Sequence, residues 1–407
     1  MSALAPPLAL YVHLPWCVRK CPYCDFNSHA LPAAGLPERA YLAALLEDLE
    51  FAAHGCAGRE IVAVFFGGGT PSLFAAESIG RVLERASQLL GLAADVEVTL
   101  EANPGTVERG RFAAYRAAGV TRVSLGAQSF DDRHLVALGR IHAREETLAA
   151  VEELRAAGLD NFNLDLMYAL PRQTCDEAIA DLDQALRLEP AHISHYQLTL
   201  EPGTAFERRP PPLPDDDTSY QMQVECQSRL AAAGYRQYEV SAYAAADREC
   251  RHNLNYWRFG DYLGIGAGAH GKLTDAVAGS VQRTERVRHP GRYVSAASPP
   301  ERVADTRLVE AGELAFEFCL NALRLVDGFE VSAFEARTGL PWAAIAKPAV
   351  ERAVSRGLLA LLPGGRCVPT PLGQRFLNDL QGMFLPVRAA PPPREPAPGL
   401  ATGGRFG

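Results

Sequence analysis

Tyr11-Val-His-Leu-Pro-Trp-Cys17-Val-Arg-Lys-Cys21-Pro-Tyr-Cys24-Asp-Phe26-Asn carries three cysteines in a CxxxCxxC run. Three thiolates in so short a loop can hold three corners of a cubane iron–sulfur cluster. The fourth iron is then left open to a ligand that is not protein. A structural zinc site wants four closed donors, commonly from cysteine pairs. Here a fourth, such as His13 or His29, would have to be recruited. A disulfide pairing leaves one of the three cysteines over.

Around this loop, the composition is that of a globular chain: 407 residues, 48% apolar, 22% charged, with a formal net charge of −8. That length can bury a large core and exceeds one ordinary domain. The acidic balance argues against a general nucleic-acid surface, which needs a basic excess. Nine cysteines, three clustered and six scattered, suit a reducing compartment better than a secreted disulfide framework. The first ten residues lack the basic and apolar regions of a signal peptide. No run reaches the ~18 apolar residues of a membrane span. The expectation is a cytoplasmic protein with no transmembrane segment.

Short apolar runs at 8–14, 61–66, 96–101, 122–125, 162–167, 193–200 and 237–240 predict strands. Amphipathic segments at 37–53, 75–90, 107–118, 144–157 and 175–188 separate the first six. Strands alternating with helices of this length predict an α/β fold with a parallel sheet covered on both faces. About six βα units do not complete an eight-fold barrel, so the expected architecture is a partial (β/α)6 barrel. Its chemistry would gather at the C-terminal strand ends. A helix is expected at 218–233, after a proline-rich loop at 208–217. From about 307 to 385 the pattern is helical, with one hairpin at 358–370 turning at Pro363-Gly-Gly365. This predicts a C-terminal helical, winged-helix-like domain. Residues 301–385 hold ten acidic against nine basic residues, which favours a lid or docking role over DNA binding. The expected domains are 1–290, 300–385 and a disordered tail at 386–407, rich in proline.

Polar residues stand at the predicted strand ends. Gly67-Gly68-Gly69-Thr70-Pro71 follows the second strand, where glycines permit close approach of a ligand to the backbone. Glu101 ends the third, and a carboxylate there can accept hydrogen bonds from two ribose hydroxyls. Gln128 follows the fourth. Arg140 could pair with a carboxylate in a bidentate fork. Asp165 lies within the apolar fifth strand, where a buried acid needs a partner. Gly264-Ile265-Gly-Ala-Gly268 has no βαβ context after it, so a dinucleotide fingerprint is disfavoured. It reads instead as a glycine-rich strand end closing the ligand pocket, with Ile265 a candidate adenine contact.

The cysteine spacing resembles the radical S-adenosylmethionine (SAM) superfamily. Residues 11–26, 65–73, 101–105, 124–130, 138–142, 163–171 and 196–206 together resemble the oxygen-independent coproporphyrinogen III oxidase family. That resemblance implies that Cys17, Cys21 and Cys24 ligate a [4Fe–4S] cluster. It also implies SAM contacts from Tyr11, Gly68, Gly69, Thr70, Glu101, Gln128, Arg140 and Asp165.

Two branches of the family differ at legible positions. The dehydrogenases carry a further cysteine two residues after the third, where this chain has Phe26, and a longer segment before the first strand. The HemW-type haem chaperone branch lacks both. His252-Asn-Leu-Asn-Tyr256-Trp257 resembles that branch's HNxxYW haem-binding motif. An imidazole can ligate haem iron, and aromatic rings can pack on a porphyrin; Cys250 could compete as a thiolate ligand. The resemblance thus implies a chaperone that binds haem at His252 and passes it to haem-accepting proteins. A flavodoxin- or ferredoxin-type electron donor would serve the cluster. The rival expectation is a coproporphyrinogen III dehydrogenase that uses SAM for oxidative decarboxylation.

Overall fold

The computed structural model describes residues 5–56, 58–105 and 110–386. Residues 387–407 of the expected 386–407 tail and residues 107–109 of the expected 107–118 helix lie outside them. Six strands run parallel in sequence order: β1 (Leu8–Leu14), β2 (Ile61–Gly68), β3 (Leu92–Ala102), β4 (Arg122–Gln128), β5 (Phe162–Tyr168) and β6 (His192–Gln197). β4 is buried along its whole length, as a strand covered on both faces must be. The connecting helices are α1 (Glu38–Ala53), α2 (Ala76–Leu90), α3 (Phe112–Ala117), α4 (Asp132–Ala137), α5 (Arg144–Ala156) and α6 (Cys175–Arg187). Local sequence fixes the starts of α4, where Asp131 accepts from the Arg133 amide, and of α6. At α6, Thr174 accepts from the Glu177 amide while Glu177 reaches back to the Thr174 amide, a reciprocal capping box.

The sheet extends beyond these six strands. After α7 (Asp216–Ala232) come β7 (Arg236–Glu239) and β8 (Ala242–Ala244), antiparallel at the β6 edge. The expected 237–240 strand is therefore part of an edge hairpin. A short helix, α8 (Arg251–Trp257), leads into β9 (Asp261–Ile265), which lies parallel to β1 on its other side, Leu8 opposite Asp261 and Val12 opposite Ile265. β10 (His270–Asp275), β11 (Ser280–Arg286) and β12 (Val303–Leu308) continue antiparallel from β9. The result is an open, twelve-stranded sheet in the order β12-β11-β10-β9-β1-β2-β3-β4-β5-β6-β8-β7. Its parallel part has the six expected strands and β9 as a seventh. The segment expected to turn helical at about 307 begins as the edge strand β12.

One hydrophobic core fills the space between sheet and helices, drawing on β1 to β6 and on α1, α2, α3, α5 and α6. A second core belongs to the C-terminal helices, beginning with α9 (Ala311–Ala322), and includes Phe334, Trp342 and Val350. Phe259 and Val281 from the first body enter this second core, with Phe259 edge-on to Phe318 at 5.5 Å. The expected hairpin is present as β14 (Leu359–Leu362) and β15 (Arg366–Pro369), joined by β13 (Phe329–Glu330). No helix among the described residues is long and apolar enough to cross a membrane.

Candidate cluster and ligand site

The cysteine loop leaves the end of β1 and is clamped at its base by pairing of Trp16 with His29 and Cys17 with Ala30. A turn in which the Cys24 amide donates to the Cys21 carbonyl at 3.2 Å folds the second and third cysteines together. Lys20 Nζ donates to the carbonyls of Phe26 and Ser28 and closes the loop on itself. All three cysteines line one cleft of about 740 Å3 at the C-terminal ends of the strands. Burial pushes the thiols of Cys17 and Cys24 up. Arg140 Nη1 lies 3.6 Å from Cys21 Sγ and can donate to it.

This set fits a cluster with one open iron better than a closed zinc site. His13, one candidate fourth zinc donor, has both ring nitrogens engaged. Its Nε2 donates to the Asn27 carbonyl at 3.0 Å, leaving Nδ1 to accept from the Tyr11 hydroxyl at 2.9 Å. Burial holds this imidazole down to about 4, so it is neutral. His29 sits below the loop with Nε2 buried and unpartnered among the described residues, and its ring faces His289. All nine cysteines are free.

The glycine turn after β2 packs under the cluster loop. The Gly69 amide donates to the Leu14 carbonyl and the Thr70 amide to the Trp16 carbonyl. Gly68 has φ +112, and a Cβ there would meet the His13 ring at 2.5 Å; one at Gly69 would meet the Trp16 carbonyl oxygen at 2.6 Å. Glycine is therefore required at Gly68 by the positive φ and the His13 ring, and at Gly69 by the approach of the Trp16 backbone, whatever else the turn does.

Four more of the sequence-predicted residues join the same cleft. Glu101 accepts from the Gly68 amide at 3.1 Å. Its carboxyl is pushed up to about 8, first by burial and then by repulsion from Asp165. Gln128 ends β4 in the left-handed region, φ 66, and its Oε1 accepts from the Tyr196 hydroxyl at 2.8 Å. Arg140 donates to the side-chain Oδ1 of Asn103 and to the backbone carbonyl of Gly126. Asp165 accepts from Asn163 at 2.8 Å and Ser124 at 3.2 Å, and burial raises its carboxyl too. The arrangement offers a carboxylate, an amide, a guanidinium and exposed backbone to a polar ligand beside the cysteine loop. Sequence reading missed Tyr23, Asn103, Ser124 and Tyr196, which also line the cleft. Asn103 had a signal, two residues after Glu101; Tyr196 had only its place near the end of β6.

Tyr11, Ile265 and His252 lie elsewhere. Tyr11 lines a second cavity of about 880 Å3, which adjoins the first and shares Phe26, Gly68 and Glu101 with it. Phe26, 60% exposed, stands between the two. Ile265 is wholly buried in the main core opposite Val12 and lines neither cavity. His252 is 2% exposed, its ring stacked on Phe65 at 4.9 Å and edge-on to Tyr256 at 4.6 Å. Neither of its nitrogens has a hydrogen-bond partner among the described residues, and burial holds it down to about 3. Cys250 is fully buried against Glu97.

A family model described as the radical SAM superfamily matches residues 11–185, and one described as the HemN C-terminal domain matches 309–376. Fold and cysteine loop together define a radical SAM protein, a superfamily that implies a [4Fe–4S] cluster and SAM. The chain is 47% identical over 389 residues to "Heme chaperone HemW" of Escherichia coli (strain K12), covering 93% of this chain and 98% of that protein. It is 46% identical over 384 residues to the protein of the same name from Haemophilus influenzae, with the same coverage. A solved structure titled as coproporphyrinogen III oxidase (HemN) from Escherichia coli superposes with a TM-score of 0.78 at 22% identity, over 93% of this chain and 90% of that one; this likeness shows the fold. The chain belongs to the heme chaperone HemW family.

Proposed function

We propose that this protein is a haem chaperone that binds haem and delivers it to haem-accepting proteins. The observation that carries the reading is near-full-length identity to relatives bearing that name. Phe26 supports it, because the ring occupies the boundary of the two cavities where the dehydrogenase branch has a further cysteine. In this reading Cys17, Cys21 and Cys24 hold the cluster. Gly68, Gly69, Thr70, Glu101, Gln128, Arg140 and Asp165 bind and orient SAM, and Tyr11 closes the site from the adjoining cavity. Ile265 acts only through packing behind β1. The cluster, when bound, supplies one-electron chemistry at its open iron. Around it the chain buries the ligand and neutralises its charge.

His252 is the axial ligand that the sequence motif offers. Its ring lies behind Tyr11, Phe65 and Tyr256, so ligation requires α8 to turn and bring it out. Residues 1–290 would carry the cofactor sites, and 300–385 would form a lid or docking body. A flavodoxin- or ferredoxin-type donor would reduce the cluster in the cytoplasm.

The HemN-like fold and the polar set around the cysteine loop favour one rival, porphyrinogen decarboxylation. Anaerobically reconstituted protein separates the two when titrated with haem and, separately, incubated with coproporphyrinogen III, SAM and reductant. A saturable Soret shift, haem transfer to an apo-acceptor and no protoporphyrinogen are expected. Substrate-dependent 5′-deoxyadenosine with decarboxylated product would overturn the chaperone reading. A Soret shift altered in His252→Ala, at unchanged thermal midpoint, would identify the ligand.

A further inference from the structure

The His252–Trp257 motif is split by its own helix. At about 100° per residue, His252 and Tyr256 share one face of α8 while Leu254, Trp257 and Arg258 share the opposite one. The inner face packs into the sheet, with His252 against Phe65 and Tyr11. The outer face lines a separate cleft of about 1100 Å3 between the sheet body and the C-terminal helices. Nothing in the chemistry at the cysteine loop uses this cleft.

Its walls mix apolar and charged side chains, the carboxylates of Glu249, Asp327 and Glu330 among them. Leu254 and Trp257 come from α8, and Phe318, Ala322, Leu325 and Phe329 from the C-terminal body. The Trp257 indole N–H is buried and unpartnered among the described residues. Four guanidinia stand around these walls: Arg236, Arg258, Arg337 and Arg366. Arg236 is paired with Asp327 and Arg366 with Glu330. Arg258 and Arg337 form no ion pair among the described residues. Arg337 is half-buried, and desolvation holds it below the usual arginine range. The charge of Asp261 partly offsets that desolvation, and Glu249 adds a carboxylate to the cleft, so an incoming anion is drawn by Arg258 and Arg337 together. Arg324, stacked over the Trp257 ring at 4.3 Å and paired with Glu239, fixes the indole. Volume, flat aromatic wall and two unpaired guanidinia together select a large planar apolar molecule that carries carboxylates.

We infer that this interdomain cleft is the docking site of the haem, with the macrocycle against Trp257 and its propionates on Arg258 and Arg337. The inference rests on the chaperone reading and assigns the cargo to the outer face of α8, away from His252. It makes docking independent of iron ligation. Haem held here contacts the sheet body and the C-terminal body at once, so a change in their packing would release it.

The test uses full-length, cluster-loaded protein titrated with haem, iron-free protoporphyrin IX and protoporphyrin dimethyl ester. Wild type should bind the two free acids alike and the ester at least about tenfold more weakly, since each lost charge-assisted bond is worth about that factor. The R258E/R337E variant should lose at least about tenfold in affinity for the free acids and little for the ester, with iron content and thermal midpoint retained. Should that variant fold poorly, the acid-to-ester ratio of wild type and of Arg337→Gln carries the test. Equal binding of acid and ester by wild type, or unaltered haem affinity in folded R258E/R337E, overturns the cleft while leaving the chaperone reading standing. Loss of binding in Arg288→Glu, in the cavity beside Tyr11, with R258E/R337E unaffected would place the haem there instead. Absence of haem binding by wild type would remove both.

Discussion

Replacing Glu101 by Gln should flatten the pH dependence of stability in protein prepared without cluster or SAM. The carboxyl is raised to about 8 in the folded chain against 4.5 for an ordinary glutamate. The folded state therefore holds a proton that the unfolded state has released, throughout the interval between these values. Stability falls as pH rises through that interval, because ν_U is smaller than ν_N. The two values imply a loss of about 3 kcal/mol between pH 6 and pH 9. Glu101 is partly open to the cleft, and solvent screening cuts this to roughly 1–3 kcal/mol. Gln keeps an acceptor for the Gly68 amide and carries no charge beside Asp165.

Urea unfolding at pH 6, 7, 8 and 9 provides the assay, with wild type and variant compared at each pH. Other groups titrate in the same range. Lys272, lowered to about 8, adds stability as pH rises above that value, at the upper end of the range, where the loss from Glu101 is ending. The wild-type-minus-variant difference cancels them and should fall by the stated amount from pH 6 to pH 9. Parallel curves would refute the assignment and show that the carboxyl ionises normally within the cleft. The same proton bears on ligand binding: with a value of about 8, only about one molecule in ten has an ionised Glu101 at pH 7. A ribose pair that needs the carboxylate should then bind about tenfold better at pH 9 than at pH 7. A SAM α-amino group titrates nearby, so only the part removed by Glu101→Gln counts.

Three further outcomes follow from the geometry. Cys21→Ala should abolish cluster iron after reconstitution, yet alter the stability of cluster-free protein by no more than about 0.5 kcal/mol, because the loop is only half-buried; iron analysis beside thermal unfolding checks both halves. Gly69→Ala drives a Cβ to 2.6 Å from the Trp16 carbonyl oxygen, where only backbone can yield. It should cost roughly 1–3 kcal/mol and weaken SAM binding by calorimetry, whereas unaltered stability would show that the turn is loose. Tyr238→Phe removes the hydroxyl that donates to His192 Nε2 at 2.9 Å in a buried site, and should cost about 1–3 kcal/mol in urea unfolding.

The residues that could be read from sequence are those whose meaning is local. CxxxCxxC fixes three donors within one loop, and the glycine turn and Glu101 follow strands that short apolar runs already mark. Their convergence needed only the rule that parallel strands end on one side. What escaped depends on contacts between distant segments. β9 is five residues long and separated from its partner β1 by most of the sheet body, so no local period shows that it inserts there. That insertion is why Ile265, at a glycine-rich strand end, turns into the core instead of the ligand pocket. The Asp165–Asn163–His192–Tyr238 chain of hydrogen bonds crosses three strands, beginning in the cluster cleft and ending at a residue that lines the interdomain cleft. Each member alone is an unremarkable polar residue in an apolar run. The haem motif is the sharpest case. Written as letters, His252 and Trp257 belong to one signature and suggest one ligand between them. Wound into α8, they face opposite ways, the histidine sealed among Phe65, Tyr11 and Tyr256 and the tryptophan open to the arginine-lined cleft. A motif whose halves point to different compartments suits a carrier better than a fixed haem enzyme. One face can hold the cargo while the other stays closed until α8 moves.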